Sequence, residues 1–375
     1  TVRDRIPTVR LFKTRKGQWV YDLGQNFSGI IRLSLHSKDT HPVKLYPAEL
    51  LNPDSTVNQS ASGAPFWFGY TPKGKGIESW QPQFTYYGFR YVQVEGAVPA
   101  GQPNPDGLPE ITEITGLHTC YSAEDVGSFH CSKPLFNQTY ELIDWAIRSN
   151  MASVLTDCPH REKLGWLEEA HLMQYSVQYR YNLARLYEKT FNDMRSTQAA
   201  NGMIPTIAPE LVEFEGGFKD TPEWGSTFVI SPWYIYQWYV DKRPTIDSLS
   251  SKADNHIIAY GLGDWFDIGP ESPGESQLTS NGVTATAIYY YDVTLMEKMA
   301  NLLGKPDDAR KYQELAARIK QAFNRTFWNP STRTYDRNSQ AANAVALYMG
   351  LTTPENRQQV FDNLIADIRG RNNAL

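Results

Sequence analysis

Short apolar-rich runs alternate with polar turn formers through the first third of the chain. Runs rich in Val, Ile, Tyr and Phe, namely QWVYDLGQNFSGIIRLSLHS (18–37), VKLYPAELL (43–51), YYGFRYVQVEG (86–96) and VGSFHCS (126–132), are separated by Gly, Pro, Asn and Asp. Short alternating runs between turn formers predict strands, and their number predicts a β-sandwich over residues 1–131. Val98–Pro109, with four Pro and two Gly, is expected to be a loop within it.

At Ser132 the period lengthens. SKPLFNQTYELIDWAIRSNM opens as a helix, with Ser132 as the N-cap, Pro134 in the first turn and apolar positions at Leu135, Tyr140, Ile143 and Ile147. Further helices are predicted at about 168–182, 184–199, 225–240, 283–303, 306–327, 339–350 and 354–368, the first carrying Leu172, Tyr175, Tyr179 and Leu183 on one face. Long aromatic loops rich in Gly and Pro join them. That combination predicts an (α/α)6 toroid, whose inner helices form the core and whose loops form a cleft at one end, over residues 132–375. A plain helical bundle would have shorter loops. Twelve helices at roughly 25–30 residues per helix and loop need more chain than this, so the toroid-type domain is expected to be incomplete at its C-terminus. Apolar faces should then be exposed near Ser132–Met151 and Asn338–Gly350. Between Tyr239 and Ala259 there is room only for a short helix at TIDSLSSKAD, and residues are expected to be missing there.

Composition narrows the partners. A chain of 375 residues is too long for one ordinary core and suggests two or three domains, with a large core to bury. Its net charge of −5 is spread over interleaved acids and bases, which gives no track for nucleic acid and no patch for an anionic membrane. Aromatic residues make up 13%, with 10 Trp and 22 Tyr, enough to pack a core and still offer ring faces to sugars. Three cysteines, Cys120, Cys131 and Cys158, make no disulfide framework. No run has the length of a membrane helix, and the opening TVRDRIPTVRLF lacks the apolar core of a signal peptide. Beginning without Met, the chain reads as part of a longer one; cytoplasm and periplasm both stay open, as does a homodimer.

The chemistry concentrates in TDCPHREKLGWLEEAHL (156–172), where Asp157, Arg161, Glu162, Trp166, Glu168, Glu169 and His171 surround Pro159 and Gly165. Pro159 disfavours helix at Cys158 and Gly165 admits unusual backbone angles, so an irregular loop leading into a helix is expected. Whether Glu162 ionises readily would depend on burial beside aromatic surface against the pull of Arg161. Two later loops add Glu223, Trp224 and Trp233, then Asp264, Trp265, Asp267, Glu271 and Glu275. His160 and His171 bracket the acidic run without metal-ligand spacing, so no metal and no cofactor are expected. His118, His130 and His256 are expected to be structural or exposed. Serine-hydrolase, nucleotide and dinucleotide signatures do not occur.

The run DCPHREKLGW followed by Glu169 resembles the signature of the bacterial α-L-rhamnosidases of glycoside hydrolase family 78. YDLGQNFSG, AELLNPD and WQPQFTYYGFRYVQVEG resemble the β domain that precedes the catalytic domain in that family, so the resemblance spans nearly the whole chain. It implies inverting hydrolysis of terminal α-L-rhamnosyl residues from a rhamnose-containing glycoside or polysaccharide. Glu162 resembles the general acid. Asp157, Arg161, Trp166 and Glu169 resemble rhamnose-holding residues, as do Trp224, Asp264 and Trp265, and together these would form a pocket with an aromatic wall and a polar side. The family's general base matches no residue here and is expected outside the chain, which alone should bind rhamnose weakly and hydrolyse negligibly. Two departures stand out: Glu168-Glu169 replaces the frequent Gly-Asp, and Ser226 replaces a usual Asp. The competing readings are a non-catalytic carbohydrate-binding protein and another toroid glycosidase or a polysaccharide lyase. Glu162 argues against the first, and an acidic, aromatic cleft argues against a lyase acting on uronates.

Overall fold

The computed structural model describes residues 1–63, 65–239, 255–265, 267–272 and 274–373. It divides into two compact units, one of Thr1–Gly165 with Val177–Leu183 and the other of Trp166–Ser176 with Ala184–Leu375. The change in sequence period at residue 132 marks a change of secondary structure, whereas compactness places 132–165 with the sheet. The helix expected at TIDSLSSKAD lies outside the described residues.

The first unit is built on β1 (Val2–Pro7), β2 (Arg10–Lys13), β3 (Trp19–Ser37), β4 (Val43–Ala48), the short pair β5 (Leu50–Leu51) and β6 (Val57–Asn58), β7 (Phe68–Tyr70), β8 (Gly76–Trp80), β9 (Tyr87–Glu95), β10 (Val98–Pro99) and β11 (Glu110–Thr119). All but β5 and β6 join one nine-stranded sheet with the path β1-β11-β3-β9-β4-β7, and β2 and β8 pair with opposite ends of the 19-residue β3. β3 is long enough to change neighbours along its length, and its register with β9 shifts between Asp22 and Phe27; such irregularities bend a strand. The bend is lined by a core of Leu23, Phe27, Ile31, Leu33, Leu35, Leu45, Phe89 and Val92, all essentially buried. Alternating apolar positions in the sequence supply one buried face.

Two expectations for this unit fail. VGSFHCS forms no strand. There the Val126 amide donates to the Arg180 carbonyl and the Arg180 guanidinium to the Gly127 carbonyl, so isolated contacts replace a ladder. Helix α1 (Pro134–Asn150) has Lys133, not Ser132, at its N-cap, and the Asn137 side chain closes the turn by pairing with both backbone groups of Cys131. Of its expected apolar positions Ile147 is buried while Leu135 and Ile143 are not, and the helix exposes an apolar face as expected near Ser132–Met151. Trp145 packs on the sheet core, Arg148 lies over its ring at 3.9 Å and reaches Asp4, and Ile147 is buried, while Leu135, Phe136, Leu142 and Ile143 are exposed.

The second unit is helical. It contains α2 (Leu167–Leu172), followed by α3 (Gln174–Gln178), at which the chain passes between units, then α4 (Ala184–Thr197), α5 (Pro222–Gly225), α6 (Thr227–Tyr239), α7 (Asn281–Leu302) and α8 (Pro306–Phe327). A hairpin of β12 (Trp328–Asn329) and β13 (Thr334–Tyr335) leads to α9 (Gln340–Tyr348) and α10 (Pro354–Gly370). The expected continuous helix at 168–182 is instead two short pieces broken at Met173. Its supposed apolar face is not one face: Leu172 and Tyr179 are exposed and Leu183 is buried.

The helices fall into two kinds. α6 and α7 are apolar around most of their circumference and largely buried, whereas α8 buries only a stripe of Ala309, Ala316, Ile319, Ala322 and Phe323. A helix apolar all round belongs inside, and one with a single stripe belongs outside. Among the described residues no helix is long and apolar enough to cross a membrane.

Candidate active site

The motif run contributes to both units. In the first, Asp157 Oδ1 accepts from the Leu164 amide at 3.2 Å while the Asp157 amide donates to the Leu164 carbonyl, closing 157–164 into a loop. Cys158 Sγ accepts from the Glu162 amide at 3.3 Å, and burial pushes the thiol up. Arg161 Nη2 donates to Glu162 Oε1 at 2.7 Å, with both side chains on the surface of this unit at 54% and 33% exposure. Glu162 is therefore paired with Arg161. Lys163 turns away: its Nζ donates to the Tyr86 carbonyl at 2.7 Å, and burial lowers its pKa.

In the second unit Trp166 begins the site. Its backbone bridges Ile207, and the next amide, from Leu167, donates to the Thr206 carbonyl. Helix α2 is pinned further by the Thr227 hydroxyl on the Leu167 carbonyl and the Tyr187 hydroxyl on the Ala170 carbonyl. Five rings then adjoin. Trp166 stacks on Phe214 at 5.1 Å and meets Phe218 and Trp224 edge-on at 6.4 Å, and Phe218 meets Trp265 edge-on at 5.2 Å. Trp166, Trp224 and Trp265 thus share one assembly. Phe214 and Phe218 are not among the residues the sequence points to; their only signal is a pair of rings four apart around Gly216-Gly217. Trp224 is a correction to the expected wall. At 4% exposure its ring is packed with Leu167, Met194, Ile204 and Phe228, so it forms floor, and Trp166 and Trp265 keep partly open faces. Trp233 lies apart, packed with Val229 and Ile230 and facing Lys298.

Partly or fully buried carboxyls belong to the same unit. Glu223 is buried and held by two hydroxyls at 2.8 Å, Thr221 on Oε2 and Thr284 on Oε1, with its pKa raised by burial. Gly261, at φ +127°, leaves room for that arrangement, since a Cβ there would lie 2.6 Å from Thr221 Oγ1 and 2.8 Å from Glu223 Oε2. Burial, reinforced by Glu169, Glu223 and Asp264, pushes Glu168 up to about 8. Asp264 is raised by burial and then by Asp267. Asp267 is committed to its own loop, accepting from the amides of Gln277 and Leu278 and the hydroxyl of Ser276. Glu275 accepts from Asn281, and the Glu271 amide donates to Gln277, so both belong to the same loop. Asp264 and Asp267 also line a groove of about 630 Å³ together with Arg337 and Arg371.

Ser226, the departure from the usual Asp of the resemblance, donates to Asp292 at 2.5 Å, and burial pushes Asp292 well above the usual range. A carboxyl thus reaches this place from α7 instead. Among the described residues no group of three or more His, Cys, Asp or Glu is arranged to hold a metal ion. Of the histidines, His171 donates to a backbone carbonyl, His118 pairs with Asp4 and His160 faces Glu49.

A domain family described as bacterial α-L-rhamnosidase 6 hairpin glycosidase domain matches residues 124–375, and one described as bacterial α-L-rhamnosidase concanavalin-like domain matches 12–118. An α-L-rhamnosidase of Streptomyces avermitilis is 32% identical over 99% of this chain and 35% of its own length. One from Formosa agariphila is 30% identical over 96% of this chain and 40% of its own. Among solved structures, an α-L-rhamnosidase from Dictyoglumus thermophilum superposes with a TM-score of 0.89 at 31% identity, covering 99% of this chain and 42% of that one. The Streptomyces avermitilis enzyme complexed with L-rhamnose gives 0.86 at 31% identity, covering 99% and 35%. The chain therefore spans about 35–42% of the length of these relatives. With a family match over more than half its residues and a sheet-rich unit followed by a helical one, the chain belongs to the bacterial α-L-rhamnosidases, glycoside hydrolases of family 78.

Proposed function

We propose that the protein hydrolyses terminal α-L-rhamnosyl residues from glycosides or polysaccharides with inversion, and that Glu162 is the general acid. The observation that carries this reading is the loop 157–164, in which a closed backbone presents Glu162 and Arg161 at the surface of their unit. An acid acting on a glycosidic oxygen must be reachable by substrate. Asp157, Arg161, Trp166, Glu169, Asp264 and Trp265 are assigned to holding rhamnose, with the rings toward its apolar face and the polar groups toward its hydroxyls. Trp224 supports Trp166 from beneath. The general base is assigned to none of residues 1–375.

On fold, we read the bent sheet as a β-sandwich and the helical unit as part of an (α/α)6 toroid. The family membership of the chain and the inner and outer kinds of helix support this.

Inversion is tested by following the hydrolysis of an aryl α-L-rhamnoside by proton NMR, using the protein as its gene encodes it. The reading predicts that the β anomer of rhamnose appears first and then mutarotates. First appearance of the α anomer would mean retention and would remove the requirement for a separate base.

A further inference from the structure

We propose that the sheet unit is part of the catalytic apparatus, with Glu49, Gly88 and Lys163 acting as positioning residues that clamp the loop bearing Glu162. The proposal rests on the assignment of Glu162 as the acid, and all of its geometry lies within the first unit.

Three residues of the loop face the sheet, two of them at the adjoining Gly88 and Glu49. Pro159 is buried over β9, where an added Cβ at Gly88 would come within 2.7 Å of Pro159 Cγ and 3.1 Å of Glu49 Oε1, so the proline ring seats there only because residue 88 has no side chain. His160 Nδ1 lies 3.5 Å from Glu49 Oε2, while Glu49 Oε1 is held from the sheet side by Asn26 Nδ2 at 3.1 Å. Lys163 donates to the Tyr86 carbonyl at 2.7 Å and sits 4.8 Å and 5.4 Å from the ring centres of Tyr86 and Tyr87. Lys163 also has φ +58°, a region that bulky side chains enter only when their surroundings impose it.

The consequence is directional. Residues 159, 160 and 163 point to the sheet, and residues 161 and 162, between them, stay exposed. The left-handed turn at Lys163 lets the lysine face the sheet while its neighbour does not. Were the sheet an accessory module, contacts of this kind would be unneeded, since 157–164 is already closed by its own hydrogen bonds. Fixing Pro159, His160 and Lys163 instead fixes the position of Glu162. Displacement of a reacting group by about 1 Å can cost on the order of 10²-fold in rate.

The test uses Glu49→Ala and Gly88→Ala, with Glu49→Gln as the conservative variant, in the protein as its gene encodes it. Two readouts are taken. The first is the alkylation rate of Cys158, whose Sγ accepts the Glu162 amide, measured by peptide mass against Cys131 as internal reference. The second is kcat and KM on aryl α-L-rhamnosides. The proposal predicts that Cys158 alkylates several-fold faster in both alanine variants, and that kcat falls by about 10–100-fold with KM changed far less. Glu49→Gln should recover most of both. Unchanged alkylation, or faster alkylation with unchanged kcat, would overturn it. If Gly88→Ala does not fold, Glu49→Ala decides. If the wild-type protein has no rhamnosidase activity, the functional reading has failed, and the alkylation rates alone decide whether the sheet clamps the loop.

Discussion

His171 Nε2 lies 2.8 Å from the backbone carbonyl of Glu223, with both residues buried, and this bond ties α2 to α5. The neutral ring donates there from Nε2, and burial lowers the His171 pKa to about 4. The unfolded chain takes up this proton near pH 6.5, while the folded protein resists until about pH 4. Stability is therefore present above pH 6.5 and is lost as pH falls from 6.5 to 4, by up to about 1.4 kcal/mol per pH unit. Urea midpoints between pH 7 and 4.5 should fall more steeply for the wild type than for His171→Gln; parallel slopes would contradict the assignment.

Glu168 works in the opposite sense. Its pKa rises to about 8 through burial, reinforced by Glu169, Glu223 and Asp264. Between its ordinary value near 4.5 and 8 the folded protein holds a proton that the unfolded chain has released, so stability is lost as pH rises through that window. Glu168→Gln should raise the urea midpoint at pH 8 more than at pH 5. An equal change at both would show that Glu168 is already ionised in the folded protein.

Trp224 and Trp265 should separate stability from recognition. Trp224 fills the core beneath Trp166, so Trp224→Ala should cost about 3–5 kcal/mol by chemical unfolding. Trp265 is partly open and touches Phe218 edge-on, so Trp265→Ala should cost less stability but weaken binding of L-rhamnose by calorimetry. Unchanged affinity in Trp265→Ala would remove that ring from the proposed pocket.

The sequence was most legible where pattern and packing agree. The pattern predicts α8 at 306–327 and the structure has it there, because Pro306 starts it and a long amphipathic repeat carries it to Phe327. It was least legible where distant partners decide. The break at Met173 ends α2, whose carbonyls at Leu167 and Ala170 are claimed by Thr227 and Tyr187, residues that no local pattern points to. α1 has two candidate faces, and the sheet selects the one with Trp145 and Arg148 rather than the more aliphatic one. In the motif, residue types and spacing singled out Asp157 through Glu169, yet the clamps at Glu49 and Gly88 lie some 70 to 110 positions upstream. The Phe214 and Phe218 rings were invisible for a related reason: their importance comes from Trp166 and Trp265, which flank them in space.

The central claim, that Glu162 protonates the leaving oxygen, is tested most directly by a leaving-group series. Wild type and Glu162→Gln are assayed on aryl α-L-rhamnosides whose phenols span several pKa units, in the protein as its gene encodes it. The account predicts a loss of about 10²–10⁴-fold for the poorest leaving groups and a much smaller loss for the most activated, because an activated phenolate departs without a proton. A loss of the same size across the whole series, or no loss at all, would contradict it.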